Sequence, residues 1–454
     1  MRDDRLKLML DSIVRLARRG AMSNAVNLLT KLRPVDIAQI LGQLQTHDRE
    51  ILFKSFLDND LTKAAEALSE IETEDAVELL AGLNREDATR LLQELPSDDA
   101  AVLVAEMPEE SREELLEAMK LELSTDVQEL LGFADETAGR IMTPDFFALD
   151  EDLTISEAIT ALQRRSEDFE MAFYLYVIDS RNHLLGVVSL RQLLLNPPST
   201  PLKKIMMGDV IKVTTDTDQE EVARVVATYN LLAIPVVDSE NKLVGIITVD
   251  DIIDVIREEA TEDIYALAGV NADERAFGDW MTSMKLRLPW LALTLGTALL
   301  GVAVVQFFIG TIQTNTWLAA LIPVVVTMGS YAATQTMTVV VRGLQLGEID
   351  WENSWRVMAK ELLVGFVTGV AIALLVFGVI WLWFDLQLGA IIGVTMIPSI
   401  LLAGLIGTLI PVVLKRFHFD PALASSVFVV TLTDVLALFG YLGIASLSIK
   451  YLGK

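Results

Sequence analysis

No cysteine occurs among the 454 residues. That absence excludes disulfides, thiolate metal sites and cysteine nucleophiles together. Histidine is nearly as scarce, and His47, His183 and His418 are too scattered to suggest a transition-metal site. Neither a phosphate-binding P-loop nor a hydrolase or transferase constellation is present. The chain therefore reads as a non-enzyme, with no transport driven by ATP hydrolysis. Basic residues are outnumbered, 36 against 63 acidic, for a net charge of −27. The excess is uneven: residues 276–454 hold 8 acidic and 9 basic side chains, residues 1–275 hold 55 and 27. Such a field repels nucleic acid and anionic lipid and attracts cations. The start, Met1-Arg-Asp-Asp-Arg5, has no signal-peptide core and leads into an amphipathic pattern, so the N-terminal part is expected in the cytoplasm.

Charge is also missing from five long apolar stretches, about 288–309, 317–341, 362–384, 388–414 and 423–449. Each is long enough to cross a bilayer as a helix. The exception is Asp434, the only charged residue between Asp420 and Lys450. A carboxylate at mid-span costs about 2.5–3.5 kcal/mol on insertion scales, so it should face a bundle interior or a wet path. It reads as a cation site in a pore, or else as a protonated Asp bonded to a neighbouring helix. Thr431 and Thr433 can supply hydroxyls, and Ser425 and Ser426 stand about two turns earlier. Lys285 and Arg287, then Arg342, Arg356 and Lys360, then Lys415 and Arg416 all fall on the side of the N-terminus. The excess of basic residues makes that side cytoplasmic and leaves Lys454 outside. In the fourth span, Pro398 and Pro411 with Gly393, Gly404 and Gly407 either loosen the helix or allow close packing.

Ahead of the membrane part the chain repeats itself. Asp75-Ala-Val-Glu-Leu-Leu-Ala-Gly-Leu83 is echoed from Asp87, again from Asp99, and loosely from Ser111, in steps of 12 residues. Each unit offers a polar start, often Asn, Ser or Glu near an N-cap, then a short apolar face. Units this short must stack into a superhelix. Asp98 and Asp99 at one repeat start are solvated caps or, against a partner surface, a cation site. From about Ile141 to Ile256 the pattern becomes β-α-β-β-α, twice: Tyr174-Leu-Tyr-Val-Ile-Asp179 matches Ala233-Ile-Pro-Val-Val-Asp238, and Leu185 to Leu193 matches Val244 to Ile252. These stretches resemble a tandem pair of CBS domains. The resemblance implies an adenine nucleotide such as ATP, held in the second repeat by Gly245, Thr248 and Asp251, with Tyr174 and Arg191 as further contacts. The first repeat has Gln192 where the ribose-binding Asp would stand. The pair could equally serve dimerisation and gating alone. A helical pattern from Val249 to Gly269 then carries Asp250, Asp251, Asp254, Glu258, Glu259, Glu262 and Asp263. Like charges at i, i+4 destabilise a bare helix; the run reads as solvated or as waiting for cations.

Several stretches together resemble the MgtE family of magnesium channels: Glu259-Ala-Thr-Glu-Asp-Ile-Tyr-Ala-Leu-Ala-Gly-Val270, Arg287-Leu-Pro-Trp-Leu291, Pro323 to Gly329 with Gln335-Thr336 and Arg342, and Ser425 to Tyr441 around Asp434. The family usually has Gly-Asn where this chain has Gly329-Ser330. The expected architecture is a multidomain membrane protein. It has an all-α superhelical N-domain (1–132) and an α/β tandem CBS pair (133–256, repeats about 137–198 and 201–256). An acidic connecting or plug helix (257–280) leads to an α-helical transmembrane bundle of five helices (281–454). The resemblance implies a homodimer in the cytoplasmic membrane with one pore on its two-fold axis, faced by Asp434 from both subunits. Mg²⁺ gives up water reluctantly, so two carboxylates could hold it through its water shell. Regulatory Mg²⁺ is expected to bridge Asp98 and Asp99 to Asp250, Asp254, Glu258, Glu259 or Asp420 and to close the pore. The alternatives are a carrier exchanging Mg²⁺ for Na⁺ or H⁺ at Asp434, and a non-transporting membrane nucleotide sensor.

Overall fold

The computed structural model describes residues 2–19, 21–165, 174–276, 278–417 and 419–452. They fall into two compact units, Met1–Ile256 and Arg257–Lys454.

The first unit opens with ten helices: α1 (Arg2–Arg18), α2 (Met22–Leu29), α3 (Pro34–Gly42), α4 (Thr46–Leu57), α5 (Leu61–Ser69), α6 (Thr73–Ala81), α7 (Arg85–Leu92), α8 (Ser97–Ala105), α9 (Glu109–Ala118) and α10 (Leu121–Leu131). The helices α6 to α9 begin at Thr73, Arg85, Ser97 and Glu109, which keeps the 12-residue step of the sequence. Each buries a short apolar face, such as Ala88, Leu91 and Leu92 on α7 or Ala100, Leu103 and Val104 on α8. The expected polar cap is found at Asn84, whose side chain accepts from Asp87 N at 2.9 Å. Before α8 and α9 the N-cap position is taken by Pro96 and Pro108. Their rings fix the entering backbone where a side-chain bond would otherwise do so. Buried Arg49 on α4 holds α6 by ion pairs to Asp75 and, at 2.8 Å, to Glu78.

Two β-α-β-β-α repeats follow. The first comprises β1 (Ala148–Asp150), α12 (Ile155–Arg165), β2 (Tyr174–Ile178), β3 (Leu184–Ser189) and α13 (Leu190–Leu195), after the short α11 (Ala138–Ile141). The second comprises β4 (Val213–Thr214), α14 (Gln219–Tyr229), β5 (Ala233–Val237), β6 (Leu243–Thr248) and α15 (Val249–Ala268). Each sheet pairs its first two strands parallel and its last two antiparallel. Tyr174 faces Ser189 in one sheet as Ala233 faces Thr248 in the other, and both carry a bulge at the matching place. One apolar core runs from Ile13 through the helical domain into Val222, Ile234, Ile247 and Ile252 of the second repeat. The first repeat has its own core around Leu175, Val177 and Val188. The helical domain thus shares its interior with the second repeat.

Helix α15 carries the acidic run and ends where Gly269 turns left-handed (φ 69°) and Val270 N bonds back to Tyr265 O at 2.9 Å. A glycine in that conformation is a standard helix stop.

In the second unit five helices are long and apolar enough to cross a membrane: α16 (Trp280–Phe307), α18 (Trp317–Gln345), α19 (Ser354–Trp383), α20 (Leu386–Arg416) and α21 (Pro421–Leu452), with the short α17 (Ile309–Thr314) after α16. α20 is the central post, packed on α18, α19 and α21. Its glycines are explained by close packing. A β-carbon on Gly407 would stand 2.7 Å from Ala333 O, and one on Gly393 would stand 3.0 Å from Ala373 O. The helix runs unbroken through Pro398 and Pro411. Gly407→Ala is expected to destabilise the protein by about 1–3 kcal/mol, as overpacking does, read as earlier thermal unfolding in detergent. α16 buries none of its residues in the protomer. Exposed tryptophans mark the helix ends, with Trp317, Trp381 and Trp383 at one end of the bundle and Trp280, Trp351 and Trp355 at the other. This is the interfacial aromatic pattern of a membrane protein.

Candidate functional site

Asp434 lies midway along α21, half-buried, on the side that meets α18. The partner hydroxyl comes from Ser330, whose Oγ donates to Asp434 Oδ1. Ser330 Oγ also stands 2.9 Å from Val326 O, one turn back on its own helix. The sequence pointed to Thr433 as a hydroxyl for the carboxylate. Consecutive helical residues point about 100° apart, and Thr433 is accordingly turned into the bundle, 1% exposed, with its methyl toward Gly329. Among the described residues Thr433 Oγ1 and the buried Ser399 Oγ have no hydrogen-bond partner. Thr431 is half-buried. The side chains of Ser425 and Ser426 lie outside the described residues, as do His418 and Lys454.

A second intramembrane carboxylate escaped the sequence reading. The third span was expected to start at residue 362, but α19 begins at Ser354 and includes Glu361, 6% exposed. Glu361 accepts from Thr336 Oγ1 at 3.2 Å and pairs with Lys360 Nζ at 3.2 Å. It ties α19 to α18 in one protomer and is fully partnered.

The acidic residues of the first unit meet at two helix starts. Asp98 and Asp99 are in the first turn of α8, Asp250 and Asp251 in the first turn of α15. Carboxylates suit helix N-termini, but here two such turns oppose like charges. Burial, then Asp251, then Asp99 push the Asp98 carboxyl well above the usual carboxylate range. Its Oδ1 is buried and without a hydrogen-bond partner among the described residues. Asp251 is also pushed up, chiefly by burial. Glu70, at the end of α5, is raised by burial and by Asp254 and Asp250. In the second unit Asp263 is raised by burial and by Asp420, against the lowering effect of Gln345 and Arg342. Asp420 Oδ1 accepts from Ala422 N at 2.8 Å and caps α21. Glu258 is exposed and Glu259 half-buried on α15, both with electrostatic or hydrogen-bonded neighbours. Among the described residues no three acidic or histidine side chains group closely enough to hold a metal ion directly. The structure thus joins Asp98 with Asp251 and Asp263 with Asp420. Asp251 and Asp263 belong to the acidic run but not to the expected bridges, and Glu70 to neither, because nothing local in the sequence marks a tertiary neighbour.

In the second repeat, Thr248 Oγ1 lies 2.6 Å from Asp251 Oδ2 and also within reach of Asp250 Oδ1, with one proton to donate to either. In the first, Ser189 and Gln192 form a full capping box, with Ser189 N donating to Gln192 Oε1 at 2.8 Å. Gln192 therefore does the N-terminal work on α13 that Asp251 does on α15. Tyr174 is half-buried between the two sheets and Arg191 is exposed on α13. No hydrogen bond among the described residues joins either to Thr248 or Asp251.

Residues 322–444 match the family described as divalent cation transporter, MgtE; residues 32–136 match the MgtE intracellular N domain, and residues 138–197 and 202–258 match CBS domains. The magnesium transporter MgtE of Bacillus subtilis is 33% identical over 438 residues, 96% of either chain. That of Thermus thermophilus is 36% identical over 332 residues, 72% of this chain and 73% of the other. Two solved structures are similar, each with a TM-score of 0.51: the soluble part of a magnesium transporter (32% identity, 56% of this chain, 99% of that one) and the cytosolic domain of the Mg²⁺ channel MgtE in complex with ATP (34%, 54% and 99%).

Proposed function

The chain belongs to the MgtE family of magnesium transporters, and on that premise we propose that it is a Mg²⁺-selective channel closed by cytoplasmic Mg²⁺. The observation that carries the pore is Asp434, a carboxylate placed midway in a membrane helix and reached by the Ser330 hydroxyl. Two copies of that carboxylate across a two-fold axis hold hydrated Mg²⁺ through its water shell, choosing by charge and hydrated size. The α16 helix, with no residue fully buried, and Ile253, Ile256 and Ile264 exposed on α15, support a second copy of the chain as their cover. Lys415, Arg416, Arg342, Arg356 and Lys360 on one end of the bundle support a cytoplasmic N-terminus and an external C-terminus.

For closure, the support is the pairing of Asp98 with Asp251, and of Asp263 with Asp420. Each brings like charges together in a partly dehydrated place, where a divalent cation stabilises the closed arrangement. Asp99, Asp250 and Asp254 enlarge the first of these groups, and Glu258 and Glu259 are further candidates on the same helix α15. Flux of Mg²⁺ into vesicles, with and without Mg²⁺ on the N-terminal face, tests both halves of the proposal. Uptake should be strong without internal Mg²⁺ and suppressed with it.

The similar cytosolic domain solved with ATP supports an adenine nucleotide on the CBS pair, with Thr248 and Asp251 as ribose contacts and Tyr174 and Arg191 beside them. Asp251 then serves two ligands, and the two should compete. Asp251→Ala is expected to weaken ATP binding to the full chain at least about tenfold by calorimetry, the loss of a charged hydrogen-bond acceptor. Unchanged binding would place the nucleotide elsewhere.

A further inference from the structure

The Ser330 hydroxyl has two acceptors and one proton. Its Oγ stands within reach of Asp434 Oδ1 on α21 and of Val326 O on its own helix, the latter at 2.9 Å. A serine hydroxyl donates once and accepts through its two lone pairs. Only one of the two bonds exists at a time. Several hydroxyls of the described bundle settle on their own helix: Thr334, Thr338, Thr368, Thr395 and Thr408 each donate to the carbonyl four residues back. Thr336 instead reaches Glu361 across to α19, and Ser330 reaches both a carbonyl of its own helix and an ionisable side chain on another.

We infer that Ser330 is a specificity-determining residue of the pore, a two-position hydroxyl that reads whether the ion at Asp434 has kept its water. The inference rests on Asp434 being the pore carboxylate. With no ion present, Ser330 donates to Asp434 and keeps the carboxylate against α18. When a hydrated cation arrives, its waters donate to the carboxylate. Ser330 then turns its proton to Val326 O, and its oxygen is free to accept from another of those waters. Nothing is left unsatisfied in either position, which matters inside a membrane where a lone polar group is costly. The second position is available only to an ion that brings protons on its shell. Mg²⁺ dehydrates reluctantly and keeps its waters, whereas Ca²⁺ exchanges them for protein oxygens readily. A hydroxyl that accepts from the shell therefore favours Mg²⁺. Gly329 next to it lets α18 pack closely on α20 and α21: a β-carbon there would stand 3.1 Å from Ser399 Oγ and 3.4 Å from Thr433 Cγ2.

The test uses the full chain in vesicles, with Mg²⁺ and Ca²⁺ permeation measured side by side. Ser330→Ala should lower the Mg²⁺ to Ca²⁺ permeability ratio by about tenfold, the worth of one hydrogen bond. Ser330→Thr keeps the hydroxyl and should stay within about twofold of the parent on the same scale. A hydroxyl that merely packed the helices would leave the ratio unmoved in both. An unchanged ratio in Ser330→Ala, or an equal loss in Ser330→Thr, overturns the inference. Asp434→Asn in the same vesicles separates the two readings: if it abolishes flux while the Ser330→Ala ratio stays at the parent value, the pore stands and Ser330 alone is wrong. If it conducts as the parent does, the pore assignment itself fails.

Discussion

Asp434→Asn is expected to fold and assemble as the parent does and to lose most Mg²⁺ conductance. The substitution keeps the shape, and the amide still accepts from Ser330, so the contact between α18 and α21 survives. What disappears is the charge that holds the ion. Replacing a charge-assisted contact by a neutral one removes about 1.5–3 kcal/mol, which corresponds to roughly 10- to 100-fold in occupancy of the site. Asp434→Ala should lose as much conductance and, by also leaving the Ser330 hydroxyl to Val326 alone, should cost a little stability. Flux assays in vesicles with a folding control check both. Parental conductance in either variant would make the carboxylate structural.

The gate carries the second large effect. Moving a two-state gate from about 1:99 to 99:1 takes roughly 5.5 kcal/mol of differential affinity. Several weak acidic sites sharing that work give a steep response to Mg²⁺. Neutralising Asp254, Glu258 and Glu259 together should leave a channel that opens but closes poorly, and should weaken the protection from protease that Mg²⁺ gives the soluble part. Deleting residues 1–130 removes Asp98 and Glu70 and should have the same outcome on closure. A truncated channel that still shuts normally would rule out the N-domain as a sensor. Proton linkage gives the same sign. The folded-state pKa values of Asp98 and Asp251 are raised, chiefly by burial. Their protonated forms favour the folded state, so stability is fully present below the ordinary carboxylate range and falls as pH rises through the raised values. Mg²⁺ replaces those protons and should remove that loss, seen as a pH-dependent thermal shift without Mg²⁺ and a flat one with it.

The membrane architecture was legible because apolar length and the scarcity of charge are local properties. Asp434 stood out for the same reason: one carboxylate in a long uncharged stretch is conspicuous in one dimension. Glu361 was missed by that very rule, since it lies beside Lys360 at a helix end that the first uncharged residue seemed to define. The 12-residue repeat and the paired β-α-β-β-α pattern translated directly into helix starts and strand register. What the sequence could not carry was proximity across folds. Asp98 meets Asp251, and Ser330 meets Asp434, only after the chain has packed. Thr433 was chosen for its nearness in sequence, and helical twist sends it the other way. Gln192 looked like a lost ligand and is a helix cap.

Single-channel recording of the purified chain in a planar bilayer tests the central claim most directly, with Mg²⁺ as the only permeant cation and no counter-ion gradient. Discrete Mg²⁺ openings should occur while the N-terminal face is free of Mg²⁺ and disappear as Mg²⁺ is added to that face. Saturable flux that needs a Na⁺ or H⁺ gradient, or openings that persist at high Mg²⁺ on that face, would contradict a Mg²⁺ channel closed by its own ion.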